Sequence, residues 1–405
     1  MISCLDPVEL EKARSRLFQY CRGEGWAGYD PYDGLNSPIA GLLPGKAARI
    51  AFTQFMRRSP LNFRPLFGIK KELNAKGLAL SARAILLLWE RMGWNDTPGP
   101  GSPGGDESSA AGRDFRFIMG SLLALRSPAY TEACWGYNFP WQSRAFFIPR
   151  GVPNVVCTVF AAHAYLDWYD RTEVEHRLEL AASSCRFVLD YLNRTTDGKT
   201  HCFSYTPLDQ TAVHNVNMMA AELLARVYSK VKNEEFREAA EAAVRYTVAR
   251  QRKDGSWPYG ESRSQQWVDS FHTGFILTSL KRTIGYLELD GFTANLEEAH
   301  RFYLKKFFLA DGRPKYYHNR VFPIDVHSAA VAIIALVETS DLSPEALGMA
   351  DKVMRWTLAN LQDPKGYFRY QKHWTYSIKI PYARWAQAWM LYAISVYTSR
   401  LDSTR

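Results

Sequence analysis

Several features that would assign a protein class at once are missing from this 405-residue chain. No run of about 18 consecutive apolar residues is present, so the sequence does not predict a membrane-spanning helix. The first twenty residues, MISCLDPVELEKARSRLFQY, carry charges where a signal peptide needs an apolar core, and we therefore expect a cytoplasmic protein. No G-x-G-x-x-G opens a helix and no G-x-x-x-x-G-K-[ST] loop occurs, so no cofactor is predicted.

The cysteines and the basic residues also lack the patterns that would indicate a function. The six cysteines are scattered without a C-x-x-C pair, which is typical of reduced, buried thiols rather than of disulfides or a zinc site. The net charge is +9, but we find no basic run and no nucleic-acid motif, so nucleic acid is not expected as a partner. An acidic small molecule or glycan fits this charge better, and a solvated basic surface is the plain alternative.

What the chain does contain is a repeat: an amphipathic helix, a short segment with Gly and aromatics, a polar pair, then a strongly apolar helix. The amphipathic helices, predicted to form an outer layer, are Glu173–Leu192, Glu235–Arg250, Leu296–Phe308 and Pro344–Leu361. The apolar helices that follow them begin at Asn217, His272, His327 and Gln387, and their small and apolar residues suit a buried inner layer.

Two weaker copies precede these four. An outer helix near Phe115–Leu125 would lead to an inner helix at Thr158–Trp168, and one at Lys46–Met56 would lead to Leu78–Trp89. Six near-regular units predict a single all-α domain, an (α/α)6 toroid with small β ladders at its mouth, because a closed ring leaves no apolar end exposed. The helix near Pro7–Arg22 is then a possible cap.

One segment of the chain is predicted to be a flexible insertion rather than a domain boundary. Residues 95–112, NDTPGPGSPGGDESSAAG, have the Pro, Gly and Ser content of a flexible loop.

The segments that join outer to inner helices carry aromatic residues. DGSWPYGE, DGRPKYYH and PKGYFRYQKHW each turn on a glycine and then place rings at the same point of the repeat. Repeated around one rim, such rings would give flat surfaces on which sugars stack. The predicted rim consists of Trp257, Tyr259, Tyr316, Tyr317, Tyr367, Tyr370 and Trp374.

Polar residues stand just before or at the start of the inner helices. They form the pairs Asn154/Cys157, His214/Asn217, Asp269/His272, Asp325/His327 and Arg384/Gln387. Helix starts point free N–H groups and a positive dipole end at the central space, which favours anionic ligands. Six of the nine histidines lie in these starts or in the connecting segments. Singly, Asp269 or Asp325 reads as an N-cap; as a converging set, the residues predict a functional site.

A further aromatic segment, WGYNFPWQSRAFFIPRGVPN, spans Trp135–Asn154 and is loop-like. Its arginines suit a pocket wall that holds a carboxylate, although a rigid plug packed on the barrel fits the composition equally well. The turn YDPYDGLNS, with Asp30 and Asp33, ranks lower, because turns commonly use Asp.

With the hairpins and rim in view, the chain resembles the (α/α)6 toroids of carbohydrate-active enzymes. It also resembles uncharacterised proteins of bacterial polysaccharide-biosynthesis loci through the segments WVDSFHTGF, PIDVHSA and PYARWAQAWML. A shorter similarity links QRKDGSWPYGE to the repeat of terpenoid cyclases, which are also toroids. The acidic D-x-D-D and D-D-x-x-D clusters of those cyclases are absent, so that likeness supports the fold more than the function.

The leading hypothesis is hydrolysis of an acidic oligosaccharide that contains uronic acid. Asp269 and Asp325 would act as proton donor and as base or nucleophile, and His272 and His327 would tune them. The alternative is β-elimination or C5-epimerisation with His272 or Tyr259 as the base and with Asn217 and Arg384 neutralising the carboxylate. Substrate binding is assigned to His214, Asn217, Trp257, Trp267, Tyr317, Tyr370, Arg384, Gln387, Arg144 and Trp141.

Two further possibilities stay open. A metal could use Asp269, His272, Asp325 and His327, but no helix-spaced His pair or clustered ligand motif supports one, so no metal is predicted. The rim could also serve as a scaffold that binds a glycan, a lipid-linked intermediate or a protein without catalysing a reaction.

Overall fold

A computed structural model describes residues 5–89, 91, 109–143 and 146–403. Within these residues the chain forms thirteen α-helices and seven short strands. The helices are α1 Pro7–Gly23, α2 Gly45–Arg58, α3 Ala75–Leu87, α4 Ala110–Ala124, α5 Val155–Thr172, α6 Glu175–Tyr191, α7 His214–Val231, α8 Glu234–Val248, α9 Ser270–Leu287, α10 Thr293–Phe307, α11 Val326–Glu338, α12 Pro344–Leu361 and α13 Ala388–Asp402.

Six of these helices form a closed inner ring. In order they are α3, α5, α7, α9, α11 and α13, each packs on the next, and α13 packs back on α3. Their composition explains the position, since α11 buries every residue from Val326 to Val337 and needs apolar neighbours on all sides. The predicted (α/α)6 toroid is therefore confirmed.

The outer ring differs from the predicted pairing in two places. Each of α4, α6, α8, α10 and α12 packs on the inner helix that precedes it, and α1 packs on α13. The helix at the N-terminal end of the chain is therefore the sixth outer helix rather than a cap. The predicted outer helix at Lys46–Met56 is α2, which instead packs on the 3-10 turn Asp33–Asn36 and on the short strand Trp141–Gln142.

The inner helices run in one direction, because an antiparallel outer helix separates each from the next. Their starts therefore gather at one end of the barrel, which we call the mouth, and their ends gather at the other, which we call the closed end. Four inner helices begin with a side-chain cap that accepts a backbone N–H of the first turn. The caps are Asn74, Asn154, Asp269 and Asp325.

The strands form small antiparallel ladders. They are β1 Trp141–Gln142, β2 Phe147–Ile148, β3 Arg194–Thr196, β4 His201–Phe203, β5 Ile324–Asp325, β6 Gln371–Lys372 and β7 Ser377–Ile378. β1 pairs with β2, β3 with β4, and β6 lies between β5 and β7. Because β5 leads directly into α11 and carries Asp325, this ladder fixes one side of the mouth.

The predicted insertion at residues 95–112 lies mostly outside the described residues. Its last part is helical, since Ser109 caps α4 and the helix begins at Ala110. No helix in the described part of the chain is long and apolar enough to cross a membrane.

Candidate active site

An aspartate and a histidine form a dyad at the start of α9. Asp269 Oδ1 accepts the backbone N–H of His272 at 3.0 Å, and Oδ2 lies 2.7 Å from His272 Nδ1. The indole of Trp267 donates to the same Oδ2 at 2.9 Å. A carboxylate can only accept, so Nδ1 carries a hydrogen, and in the tautomer that this bond selects Nε2 is the unprotonated nitrogen. The side chain of His272 is 20% exposed, whereas that of Asp269 is 1% exposed.

Aromatic rings hold this histidine in place. The ring of Tyr259 stacks on Trp267 with centroids 4.6 Å apart, and the same tyrosine ring lies 4.5 Å from the imidazole. Phe271 also packs against the imidazole, with ring centroids 4.0 Å apart. Burial raises the pKa of Tyr259 well above its ordinary value, so this phenol stays protonated and can act only as a donor or acceptor near neutral pH.

A second aspartate caps α11 beside the dyad. Asp325 is fully buried and accepts from the backbone N–H of His327 at 2.8 Å, from Gln371 Nε2 at 2.6 Å and from Trp385 Nε1 at 3.1 Å. Burial raises the pKa of Asp325, while the hydrogen bond from Gln371 and the nearby charge of Arg57 act in the opposite direction. The raised pKa is the property that a proton donor needs.

The neighbouring His327 has no partner for either ring nitrogen among the described residues. Its ring packs on Phe271 at 4.7 Å, on Trp385 at 4.3 Å and on Trp389 at 4.9 Å. Burial, followed by the positive charges of Lys76 and Arg384, lowers its pKa well below the ordinary value. The ring is therefore neutral and offers one donor and one acceptor to a ligand.

An arginine of α2, Arg57, projects into the mouth. Arg57 Nε donates to the hydroxyl of Tyr370 at 2.8 Å, and its guanidinium lies 5.0 Å from the ring centroid of Tyr32. No other hydrogen bond to its guanidinium is found within the described part of the chain. Arg57 also lies close enough to Asp325 and Tyr316 to affect their pKa values. Its remaining N–H groups form a fork that suits a carboxylate.

Arg384, which the sequence assigns to a substrate carboxylate, already has a carboxylate partner. Its Nε and Nη2 donate to the two oxygens of Asp30 at 2.6 and 2.7 Å, and both side chains are buried. The guanidinium also lies 5.1 Å from the ring of Tyr137. This bidentate pair joins the segment before α2 to the start of α13, so it stabilises the mouth rather than leaving a fork for a ligand.

At the floor of the mouth lies a buried lysine that the sequence did not indicate. Lys76 is 2% exposed, and its Nζ lies 4.6 Å from the ring centroid of Phe160, 4.9 Å from Trp389 and 5.4 Å from Phe275. Burial, and then the charge of Arg384, lowers its pKa well below the ordinary value. We find no hydrogen-bond partner for Nζ in the part of the chain that the structure describes. His327 packs on two of these three rings, those of Phe275 and Trp389, so the lysine and the histidine share one aromatic surface.

The mouth thus collects polar groups whose hydrogen-bonding capacity the described protein leaves unused. Buried polar groups are nearly always paired in folded proteins, so a cluster of unpaired ones marks a place where a ligand supplies the partners. The cluster comprises Nε2 of His272, both ring nitrogens of His327, Nζ of Lys76, the outer N–H groups of Arg57 and the hydroxyls of Tyr32, Tyr259 and Tyr316.

Several predicted site residues are used by the fold instead. The Trp257 indole is buried and donates to the Thr247 carbonyl at 2.7 Å. The Asn217 amide accepts from the Phe203 N–H and donates to the Ala243 carbonyl. Gln387 plays the same part three repeats later, since it bonds both the N–H and the carbonyl of Phe368. These side chains fasten connecting segments to helices, which leaves them no capacity for a ligand.

The remaining predicted residues divide between the wall and its surroundings. Trp141 packs edge-on against Phe146 and lies 5.5 Å from Tyr205, forming part of the aromatic wall. Tyr317 lies against Tyr316 at 4.6 Å. The other residues are placed as follows: Tyr370 is buried and meets the cleft through its hydroxyl, His214 is buried 3.2 Å from Glu261, Tyr367 packs on Tyr20, Trp374 is exposed, and Arg144 lies outside the described residues.

Metal ligands are not gathered here. No group of three or more His, Cys, Asp or Glu side chains within the described ranges is arranged to hold a metal ion. Asp269 and His272 bond to each other, and Asp325 is enclosed by neutral donors.

No protein-family model and no curated protein sequence matches the chain. Several solved structures, however, align with the chain. Cellobiose 2-epimerase from Bacillus thermoamylovorans aligns with a TM-score of 0.62 at 9% identity over 82% of this chain and 88% of that one. An unsaturated glucuronyl hydrolase specific for heparin aligns with a TM-score of 0.62 at 13% identity over 96% and 95%. A GH76 α-mannanase of Bacteroides thetaiotaomicron aligns with a TM-score of 0.58 at 12% identity over 82% and 86%.

The chain has the fold of the (α/α)6-toroid carbohydrate-active enzymes. At these identities the likeness concerns architecture, because one fold can carry epimerases and hydrolases alike. The reaction must therefore be argued from the side chains at the mouth.

Proposed function

We propose that this protein is a carbohydrate-active enzyme that moves a proton at a carbon of an acidic sugar, with His272 as the base. The observation that carries the proposal is the Asp269–His272 dyad, in which a buried carboxylate fixes the tautomer of a partly exposed imidazole. A base held in this way needs no reorganisation before it accepts a proton.

The two aspartates are less suited to act directly on a substrate. Asp269 accepts three hydrogen bonds and Asp325 accepts three more, and both side chains are buried. A carboxylate whose lone pairs are occupied is a poor nucleophile, whereas Nε2 of His272 has no protein partner among the described residues. The base in this proposal is therefore the histidine.

Positive and hydrogen-donating groups around the dyad support an acidic substrate. Arg57 offers unused N–H groups beside Tyr316, and burial raises the pKa of Tyr316 so that its hydroxyl remains a donor. A uronic-acid carboxylate held there would have the acidity of its adjacent C–H increased, since the negative charge that develops on the carboxylate oxygens is stabilised.

The chemistry then has two outcomes. His272 Nε2 takes the proton, the C–H bond breaks, and its electron pair moves toward the carboxylate as an enolate. If a proton returns to the other face, the product is the C5 epimer. If the electron pair instead expels the glycosidic oxygen at the β position, that oxygen takes up a proton and the product is an unsaturated sugar. Both outcomes restrict the possible substrates to sugars with a carboxylate beside a C–H bond.

Mass spectrometry in D2O tests this proposal. Purified protein is incubated with glucuronic- and galacturonic-acid oligosaccharides and with neutral cello- and manno-oligosaccharides as controls. Epimerisation predicts uptake of one deuterium without cleavage, and elimination predicts two fragments whose masses sum to that of the substrate. Either activity should be lost in His272→Gln. Cleavage with gain of water that persists in His272→Gln would contradict the proposal.

Hydrolysis is the second candidate, and the raised pKa of Asp325 favours it. A buried, protonated Asp325 could donate a proton to a glycosidic oxygen while another group activates water. In the same experiment hydrolysis predicts gain of water on cleavage, abolished by Asp325→Asn. The two candidates are separated by the mass of the products and by which variant is inactive.

A further inference from the structure

One segment of the chain carries a large share of the net charge and contains no acidic residue. Residues 34–71 hold seven of the Lys and Arg residues, and their nearest acidic neighbours in the sequence are Asp33 and Glu72. The whole protein has a net charge of +9, so this segment alone accounts for most of the excess. No more than two of these basic residues are consecutive, so they do not form a long run in the sequence. Arg64 is buried and Arg57 turns to Tyr370 at the mouth, so the other five basic residues are the ones available to the surface.

The same segment exposes large apolar side chains. Leu42 is 82% exposed, Leu66 78%, Leu61 63% and Phe55 47%. On α2 the exposed positions are Gly45, Lys46, Ala47, Ala51, Phe55 and Arg58. The last four are spaced as one face of the helix, while Thr53 and Met56 are buried on the opposite face. The outward face of α2 is thus mainly apolar, with arginine at its end.

This surface, which we call the α2 face (residues 38–71), is held firmly on the toroid. Arg64 is fully buried and donates to Asp33 at 2.6 Å, and Phe52 packs edge-on against Phe67. Phe55 stacks on Phe63 with centroids 5.4 Å apart. Its apolar side chains are therefore presented by a packed structure, and burying them elsewhere in the same chain would need these contacts to break.

We propose that the α2 face docks on the surface of an anionic lipid bilayer. Exposed leucines and a phenylalanine interleaved with Lys and Arg are the combination that enters the headgroup region, because apolar side chains reach the acyl boundary and basic ones meet the lipid phosphates. A second copy of the same face is disfavoured, since it would bring two surfaces of like charge together. A bare polyanion would leave the leucines without a partner.

Docking of this face would bring the mouth to the bilayer. α2 contributes Arg57 to the mouth and packs on β1, and Arg49 lies 5.1 Å from the ring of Phe147, which is itself 39% exposed. A helix is about 10 Å across, so the mouth would lie within roughly that distance of the headgroups. The inference concerns the surface alone and does not depend on the reaction proposed above.

Vesicle co-sedimentation of the full chain tests the inference. Phosphatidylglycerol vesicles are compared with phosphatidylcholine vesicles at low and at high salt. We expect binding to the anionic vesicles only, weakened at least tenfold by about 1 M salt, because the Debye length then falls to about 3 Å. Leu42→Ser with Leu66→Ser, and separately Arg58→Glu with Lys70→Glu, should each weaken binding at least tenfold.

The matched control is Val8→Ser with Val231→Ser, which removes two exposed apolar side chains remote from the α2 face. This control should bind like the wild type, and circular dichroism should show that all variants keep the fold. Absence of binding to anionic vesicles would overturn the inference. Equal loss in the control, equal binding to both lipids, or concentration-dependent dimerisation abolished by the leucine substitutions would overturn it as well.

Discussion

The two ends of the toroid treat their buried polar groups in opposite ways. At the closed end Arg226 donates to Asp167 at 2.6 Å and to Asp170 at 2.8 Å, and Arg83 donates to Asp167 at 2.7 Å. Beside them Arg282 joins Glu222 at 2.8 Å and Glu338 at 2.7 Å. These arginines and carboxylates all pair with one another, whereas at the mouth Nζ of Lys76, the ring nitrogens of His327 and the outer N–H groups of Arg57 have no partner among the described residues. Arg177, at the start of α6, is an exception, since its buried guanidinium bonds the Thr172 hydroxyl and no carboxylate in the described part of the chain.

This difference distinguishes polar groups that hold the fold together from polar groups that are available to a ligand. A paired buried network is costly to break and holds helices together, as between α3, α5 and α7 at the closed end. Unpaired buried groups cost stability and persist where a ligand completes them. Three aromatic residues lie between the mouth and the closed end. Phe160, Phe275 and Trp389 line the cavity that Glu222 borders, and their rings also surround Nζ of Lys76.

The largest expected effect is on catalysis at the mouth. His272→Ala should lower kcat/KM by about 10²–10⁴-fold, the usual contribution of a general base. Because the imidazole is partly exposed and its loss leaves Asp269 bonded to Trp267, the unfolding free energy should change by no more than about 1 kcal/mol. Steady-state kinetics and urea denaturation of the same preparation check both values. A matched loss of stability would mean that His272 is structural.

At the closed end the expected effect is on stability. Arg282→Met should lower the unfolding free energy by about 3 kcal/mol, because it leaves Glu222 buried without its strongest partner. Adding Glu222→Gln should recover part of that loss, since the unpaired charge is then removed. Urea denaturation of the single and double variants gives the coupling energy. If Arg282→Met were as stable as the wild type, the closed end would not be the structural network described above.

Acid should weaken the closed end through His163. Burial lowers the pKa of His163 to about 4, although the nearby Glu222 raises it. As the pH falls below about 6.5 the unfolded chain binds a proton that the folded chain refuses, so stability present above pH 6.5 is lost on the way to pH 4. Between pH 7 and 5.5 this single histidine should remove about 1 kcal/mol. Denaturation at both pH values should show a smaller drop in His163→Gln; an equal drop would exclude His163 as a source.

The smallest expected change in stability is at the floor of the mouth. Lys76→Met should alter the unfolding free energy by less than about 1 kcal/mol, or even raise it, because no hydrogen bond is lost and a buried amine is replaced by an apolar chain of similar length. Activity should nevertheless fall. Thermal unfolding and kinetics together check this. A strongly destabilised variant would show that Lys76 is paired within the native protein and belongs with the structural groups.

The fold, and part of the residues at the mouth, could be predicted from the sequence. The inner helices follow from their apolar composition, and Asp269 and Asp325 are recognisable as caps because each stands directly before an apolar helix. The residues of the predicted aromatic rim divide in the structure between the cleft and the core. Tyr259 packs on the imidazole of His272, whereas Trp257, two residues earlier, is buried and donates its indole N–H to the Thr247 carbonyl. The aromatic content of the segment alone does not predict this division.

Residues far apart in the chain could not be placed together from the sequence. Asp30 and Arg384 are 354 positions apart, and Arg57 and Tyr370 are 313 apart. Arg57 belongs to a helix that the periodicity assigns to the outer ring, and no local pattern shows that α2 lies over the mouth. Lys76 is a single lysine in an apolar helix, where a residue on the solvent side is the ordinary interpretation.

The most direct test of the contrast between the ends is nitrogen NMR of protein labelled at its histidine side chains, titrated with glucuronic-acid oligosaccharides. We predict that the Nδ1 of His272 carries a hydrogen in the free protein and that the ligand shifts the Nε2 signals of His272 and His327, while the signals of His163 are unchanged. A free protein in which Nε2 of His272 carries the hydrogen, or a ligand response confined to His163, would contradict it.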